Sequence, residues 1–83
     1  MSNETRGNTF DALVREERSR QDKKWGSECP QPLKMVSVLT EELGEVARAV
    51  NDGDAKNLED ELVQVAASAR KFYEGLPPRG ETR

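Results

Sequence analysis

The chain has 83 residues, of which 35% are charged and 34% hydrophobic, with a net charge of −3, no histidine and a single cysteine. One small domain with a thin core is all this length holds, and such domains usually add a disulfide, a metal or a second subunit. Cys29 has no partner for an internal disulfide, which fits a reducing, cytoplasmic setting. The acidic balance, with charges of both signs interspersed, argues against duplex nucleic acid as the main partner. No apolar run is long enough to span a bilayer or to make a signal-peptide h-region. Without histidine there is no usual zinc ligand and no usual neutral-pH general base. Chemistry is left to carboxylates, lysines and a hard cation.

Residues 1–7 are polar and read as a frayed, disordered N-terminus. Asn8 or Thr9 is placed to cap a first helix starting near Phe10, with Phe10, Leu13 and Val14 on its apolar face. Glu17, Gln21 and Asp22 follow at helical spacing, so the second half is either solvated or leans over a polar pocket with Trp25 as its lip. Pro30 and Pro32 mark a loop over residues 26–31, and Pro32 suits the first turn of a second helix. That helix runs to about Val50 and ends at Asn51-Asp52-Gly53. Asp54 caps a third, which continues to about Glu74 before Gly75 and Pro77-Pro78 stop it. Residues 8–75 form the helical domain, and residues 76–83 a flexible tail. The fold class is all-α: a three-helix protomer with two long antiparallel helices.

On the second helix Val36, Leu39, Leu43, Val46, Ala47 and Val50 make one broad apolar arc, widened on one side by Met35, Val38 and Ala49. The third helix has its core stripe at Leu58, Leu62, Val65, Ala66, Ala69, Phe72 and Tyr73, with a minor patch from Val63 and Ala67 opposite. The width of these faces predicts a homodimer that completes a four-helix bundle.

Glu42 falls inside the apolar arc and Glu45 at its edge, whereas Glu41 points to the polar side. Glu61 borders the third helix's stripe, with Gln64, Ser68 and Lys71 along the same edge. Residues three apart share a helical face, so antiparallel packing would bring Glu42, Glu45, Glu61 and Gln64 to one pocket. A carboxylate on an apolar face must be paired, protonated or metal-bound. An all-oxygen ligand set points to Mg²⁺ or Mn²⁺ and to phosphoanhydride or phosphate-ester hydrolysis. Lys24, Lys34 and Lys71 are candidate phosphate counter-charges, and Trp25 or Tyr73 a surface for a base to stack on. The competing reading is that these glutamates are solvated charge.

Glu41-Glu42-Leu43-Gly44-Glu45, fifteen residues, then Glu61-Leu62-Val63-Gln64 resembles the E-E-x-x-E … E-x-x-D signature of the MazG-type nucleotide pyrophosphohydrolases. Arg20-Gln21-Asp22-Lys23-Lys24-Trp25-Gly26 and Glu61 to Ala67 resemble a short bacterial and phage subgroup. The resemblance implies a helical dimer, or dimer of dimers, that uses Mg²⁺ to cleave nucleoside triphosphates to monophosphate and pyrophosphate. Glu42, Glu45 and Glu61 would be metal ligands, and Glu41 a further ligand or a water-orienting group. Gln64 departs from the pattern: it offers a carbonyl oxygen in place of a carboxylate. The leading expectation is thus a Mg²⁺-dependent pyrophosphohydrolase that removes unwanted nucleotides. The alternatives are a catalytically weak nucleotide-binding or regulatory module, and a purely structural helical dimerisation domain.

Overall fold

A computed structural model describes residues 2–26 and 31–77. Cys29, Pro30, Pro78 and the rest of the expected tail lie outside the described residues. Three helices follow one another, α1 (Asn3–Trp25), α2 (Pro32–Asp52) and α3 (Ala55–Glu74), with no strand among the described residues. The expected all-α, three-helix protomer is what forms. None of the described helices is long and apolar enough to cross a membrane.

The helix ends follow local chemistry. Pro32 opens α2 at its first turn, where its missing N–H is no loss. Gly53 closes that helix in the left-handed conformation (φ 67°), its N–H reaching back to the carbonyls of Ala49 and Val50. Asp54 then accepts from the Asn57 N–H at 3.1 Å and starts α3. This turn folds α3 back along α2. The first helix begins earlier than its apolar residues suggest: Ser2, not Asn8 or Thr9, is the N-cap, with its Oγ accepting from the Thr5 N–H at 3.1 Å. A good cap extends a helix through polar residues that contribute nothing to the core.

α3 is the central element. It packs against α1 on one side and α2 on the other, and α1 does not reach α2 through its backbone. The buried faces are not the expected ones. On α2, Met35 and Ala49 are buried and Val38, Leu39, Glu42 and Val46 half-buried, while Val36, Leu43, Ala47 and Val50 are exposed. The expected arc is therefore buried on its widening side, and its centre faces outward. On α3 the expected stripe is also displaced: Leu62, Ala69 and Tyr73 are exposed, whereas Ala67 is 0% exposed and Ser68 and Lys71 are buried. The reason is that α1 lies on the small and polar side of α3, where Ala67 and Ser68 let a helix come close.

Polar bonds dock α1. Gln21 Nε2 donates to Ser68 Oγ at 3.2 Å, and the buried Arg18 guanidinium bonds Asp22, Gln21 and Glu74. Arg18 holds the Asp22 and Glu74 carboxyls below the usual carboxylate range. Lys71 Nζ donates to Asp22 Oδ1 (3.4 Å) and to the Gly26 carbonyl (3.1 Å), tying down the C-terminal end of α1.

Gly53 needs its missing Cβ for conformation rather than for space, since nothing lies where a Cβ would go. Gly53→Ala should lower the unfolding free energy by about 1 kcal/mol, the cost of a left-handed L-residue, read as a lower urea midpoint at unchanged slope.

Candidate functional site

Met35, Glu42 and Ala49 are spaced seven apart, so Glu42 sits midway along the buried stripe of α2. Its Oε1 is buried with no hydrogen-bond partner, and so is Oε2 of Glu61 on the facing helix. Burial pushes the Glu42 carboxyl above its ordinary range; the Ser68 hydroxyl bonds it and partly offsets this, while the charges of Glu45, Glu17 and Glu41 push the same way as burial. Glu61 is pushed up to about 7, first by burial, then by a hydrogen bond shared with Glu45 and by the charges of Glu45, Glu42 and Asp60. Glu42 and Glu61 thus each lie near enough to Glu45 for its charge to act on them.

The remaining expected residues are spread more widely. Glu41 is exposed, on the polar side of α2. Gln64 turns toward α1 and lines two clefts there. One, of about 480 Å³, has Glu16, Glu17, Arg20, Lys56, Glu59 and Asp60 among its walls. The other, of about 600 Å³, is walled by Gln64 with Glu17, Arg20, Gln21, Lys23 and Lys24. Lys24 stands on the second cleft, and its Nζ is 5.4 Å from the ring centroid of the half-exposed Trp25. Lys34 is exposed on the first turn of α2. Lys71 is 3% exposed and engaged with Asp22 and Gly26.

Glu17 is the residue that spacing did not single out. It is buried, paired with Arg20, and near enough to Glu42 to disfavour its charge. A signal existed: Glu17 and Gln21 on α1, four apart, are matched by Gln64 and Ser68 on α3, four apart. Two polar i, i+4 pairs on helices that pack together are consistent with a polar seam.

All the ligand atoms on offer are oxygens, and two of them are buried without partners, which is what a hard cation would satisfy. Among the described residues no three such side chains are already drawn together tightly enough to hold a metal ion. The donor types suit a hard cation, while the carboxylates of the described residues are not spaced as a bound ion would hold them.

Residues 31–70 match the model of the MazG nucleotide pyrophosphohydrolase domain. The match takes in α2 from its cap and α3 as far as Arg70, and with them Glu42, Glu45, Glu61 and Gln64, but nothing of α1. The carboxylate-bearing hairpin of α2 and α3 is thus the part of the chain that is similar to the MazG domain. No curated protein and no solved structure gives a significant match.

Glu61 carries a consequence for stability. Its folded value of about 7 lies above the ordinary 4.5, so between these the folded state binds more protons than the unfolded one. Stability of the metal-free protein should therefore fall as pH rises from about 4.5 to 7. Thermal melts in EDTA at pH 5 and pH 8 should show the lower midpoint at pH 8, and Glu61→Gln should flatten the difference.

Proposed function

We propose that the protein is a divalent-cation-dependent nucleoside triphosphate pyrophosphohydrolase that yields a nucleoside monophosphate and pyrophosphate. The observation that carries this reading is the pair of buried, partnerless oxygens on Glu42 and Glu61, on the two helices that match the MazG domain. Glu42, Glu45 and Glu61 would hold Mg²⁺ or Mn²⁺, with the Gln64 amide oxygen as a weaker neighbour. When bound, the cation neutralises phosphate charge and lowers the pKa of a bound water. Glu41, outside the buried set, is placed to orient a water from the solvent side. Arg20, Lys23 and Lys24 give the adjoining cleft a basic wall for phosphates, and Trp25 offers an exposed face for a base. The clamp from Lys71 to Asp22 and Gly26 keeps Lys24 and Trp25 in place, and Lys34 remains a more distant counter-charge. Removal of unwanted nucleotides is a role consistent with this chemistry.

Pyrophosphate release from a panel of nucleoside triphosphates with Mg²⁺ or Mn²⁺ tests the reading. Release should stop with EDTA and fall at least about 100-fold in Glu42→Gln, by loss of a ligand in the charge-stabilising site. Nucleotide binding without release by any substrate would favour the binding-module reading, to which Gln64 lends weight because it brings no charge and no base. Gln64→Asp would then be expected to raise turnover.

The working form is a homodimer, or a dimer of dimers, in this reading. Val36, Leu43 and Val50, seven apart on α2, are exposed together with Leu62 and Tyr73 on α3; Leu43 is 61% and Tyr73 71% exposed. Two such apolar hairpin faces would complete a four-helix bundle. Leu43→Glu should convert the dimer to a monomer in light scattering, and a wild-type protein that is monomeric at tens of micromolar would remove this part of the proposal.

A further inference from the structure

We propose that the N-terminal half of α1 is an interaction surface for a second copy of this chain, which covers the cleft between α1 and α3 and brings its Glu59 to Arg6. The inference rests on the homodimer read above from the open hairpin face, and extends that interface to a helix outside the MazG match.

Residues 3–13, about three turns of α1, include no buried side chain; burial begins only at Val14. The Ser2 cap starts this stretch, but one cap offsets only part of the entropy lost in ordering it. Helices in proteins draw most of their stability from packing, and within one protomer this stretch has little. Its large apolar side chains, Phe10 and Leu13, are 37% and 44% exposed. With Leu62 and Val63 of α3 they wall a cleft of about 540 Å³. Leu62 belongs both to this cleft and to the open apolar face of the hairpin, so the two surfaces join there.

Charge decides the occupant. The cleft carries a base, Arg6, on its α1 wall and an acid, Glu59, on its α3 wall. Among the described residues neither side chain has an ion-pair partner within the protomer. In a two-fold contact the same patch meets itself, so the α1 wall of one copy can face the α3 wall of the other. Arg6 then meets Glu59 of the second copy, and symmetry makes the contact twice. A purely acidic or purely basic partner would satisfy one of these walls and be repelled by the other.

Sedimentation velocity of the full chain, read as the dimer dissociation constant, tests this. Arg6→Glu and Glu59→Arg each put like charges at both contacts, and each alone should weaken the dimer at least about tenfold. Mixed in equal amounts, the two variants should associate about as tightly as the wild type. In the mixed pair each reversed charge faces its opposite, although within each protomer the cleft still carries two like charges. Unchanged dissociation constants for both single variants would overturn the proposal and leave the cleft to another occupant. Weakened single variants whose mixture fails to recover would overturn it too, because that marks a contact inside the protomer. Far-UV circular dichroism checks folding; were either reversal unfolded, Arg6→Ala and Glu59→Ala decide, and dimers as tight as the wild type there count against the proposal. A monomeric wild type removes the homodimer reading and this inference with it. A wild-type dimer that Leu43→Glu breaks and both reversals leave intact removes this inference alone.

Discussion

Glu42 stands in the middle of the face that α2 buries, between Met35 and Ala49, with its charge acting on Glu61 of α3. An acid in that position is disfavoured by desolvation and by the charges of Glu45, Glu17 and Glu41, with the Ser68 hydroxyl as partial relief. The arrangement around it answers this constraint. The neighbouring charges of Glu45 and Glu42 push the Glu61 carboxyl up as well, and two carboxylate oxygens are left buried without a partner. Replacing Glu42 with an apolar residue would make a better core. Its presence costs stability, the relation expected of a residue in the functional site proposed above.

The second dependence runs through α1. This helix has little amphipathic character, so burial of apolar surface is a minor part of what holds it. Val14 is its one buried hydrophobic side chain. Its attachment relies instead on Gln21 with Ser68, Arg18 with Glu74 and Asp22, and Lys71 with Asp22 and the Gly26 carbonyl. These bonds are directional, so they set the register of α1 against α3 more sharply than a greasy seam would. The register places Glu17 with Gln64 on both clefts and Lys24 on the second of them. A MazG-like hairpin and a polar-docked helix thus meet at Gln64, the position where the expected acid is missing.

Much of this was legible in the residues. Pro32, Gly53 and Asp54 mark helix ends because their backbone and capping chemistry is local, and all three act where they were expected to. The i, i+3 spacing of Glu42 with Glu45 and of Glu61 with Gln64 put each pair on one face, and the charges of Glu45 and Glu42 do act on Glu61. The start of α1 was misjudged because apolar residues were taken as the signal, while the cap at Ser2 carries the helix through a polar stretch. The buried stripes were misjudged because hydrophobicity was taken as a measure of burial within one chain. Val36, Leu43, Val50, Leu62 and Tyr73 remain exposed, and Ser68 and Lys71 are buried.

The sequence by itself determined the three helices, their ends other than the start of α1, and the hairpin of α2 on α3, since caps, prolines and periodicity act over a few residues. It also determined that any cation site here must be built from oxygen. Only the tertiary structure decided which face of α3 receives α1, because a helix's own pattern says what it can bury and not what arrives to bury it. That choice brought Glu17 to Gln64, engaged Lys71 with the end of α1, and left the most apolar faces open. Each of these follows from where one helix lies against another, a relation between residues about fifty positions apart that no local spacing contains.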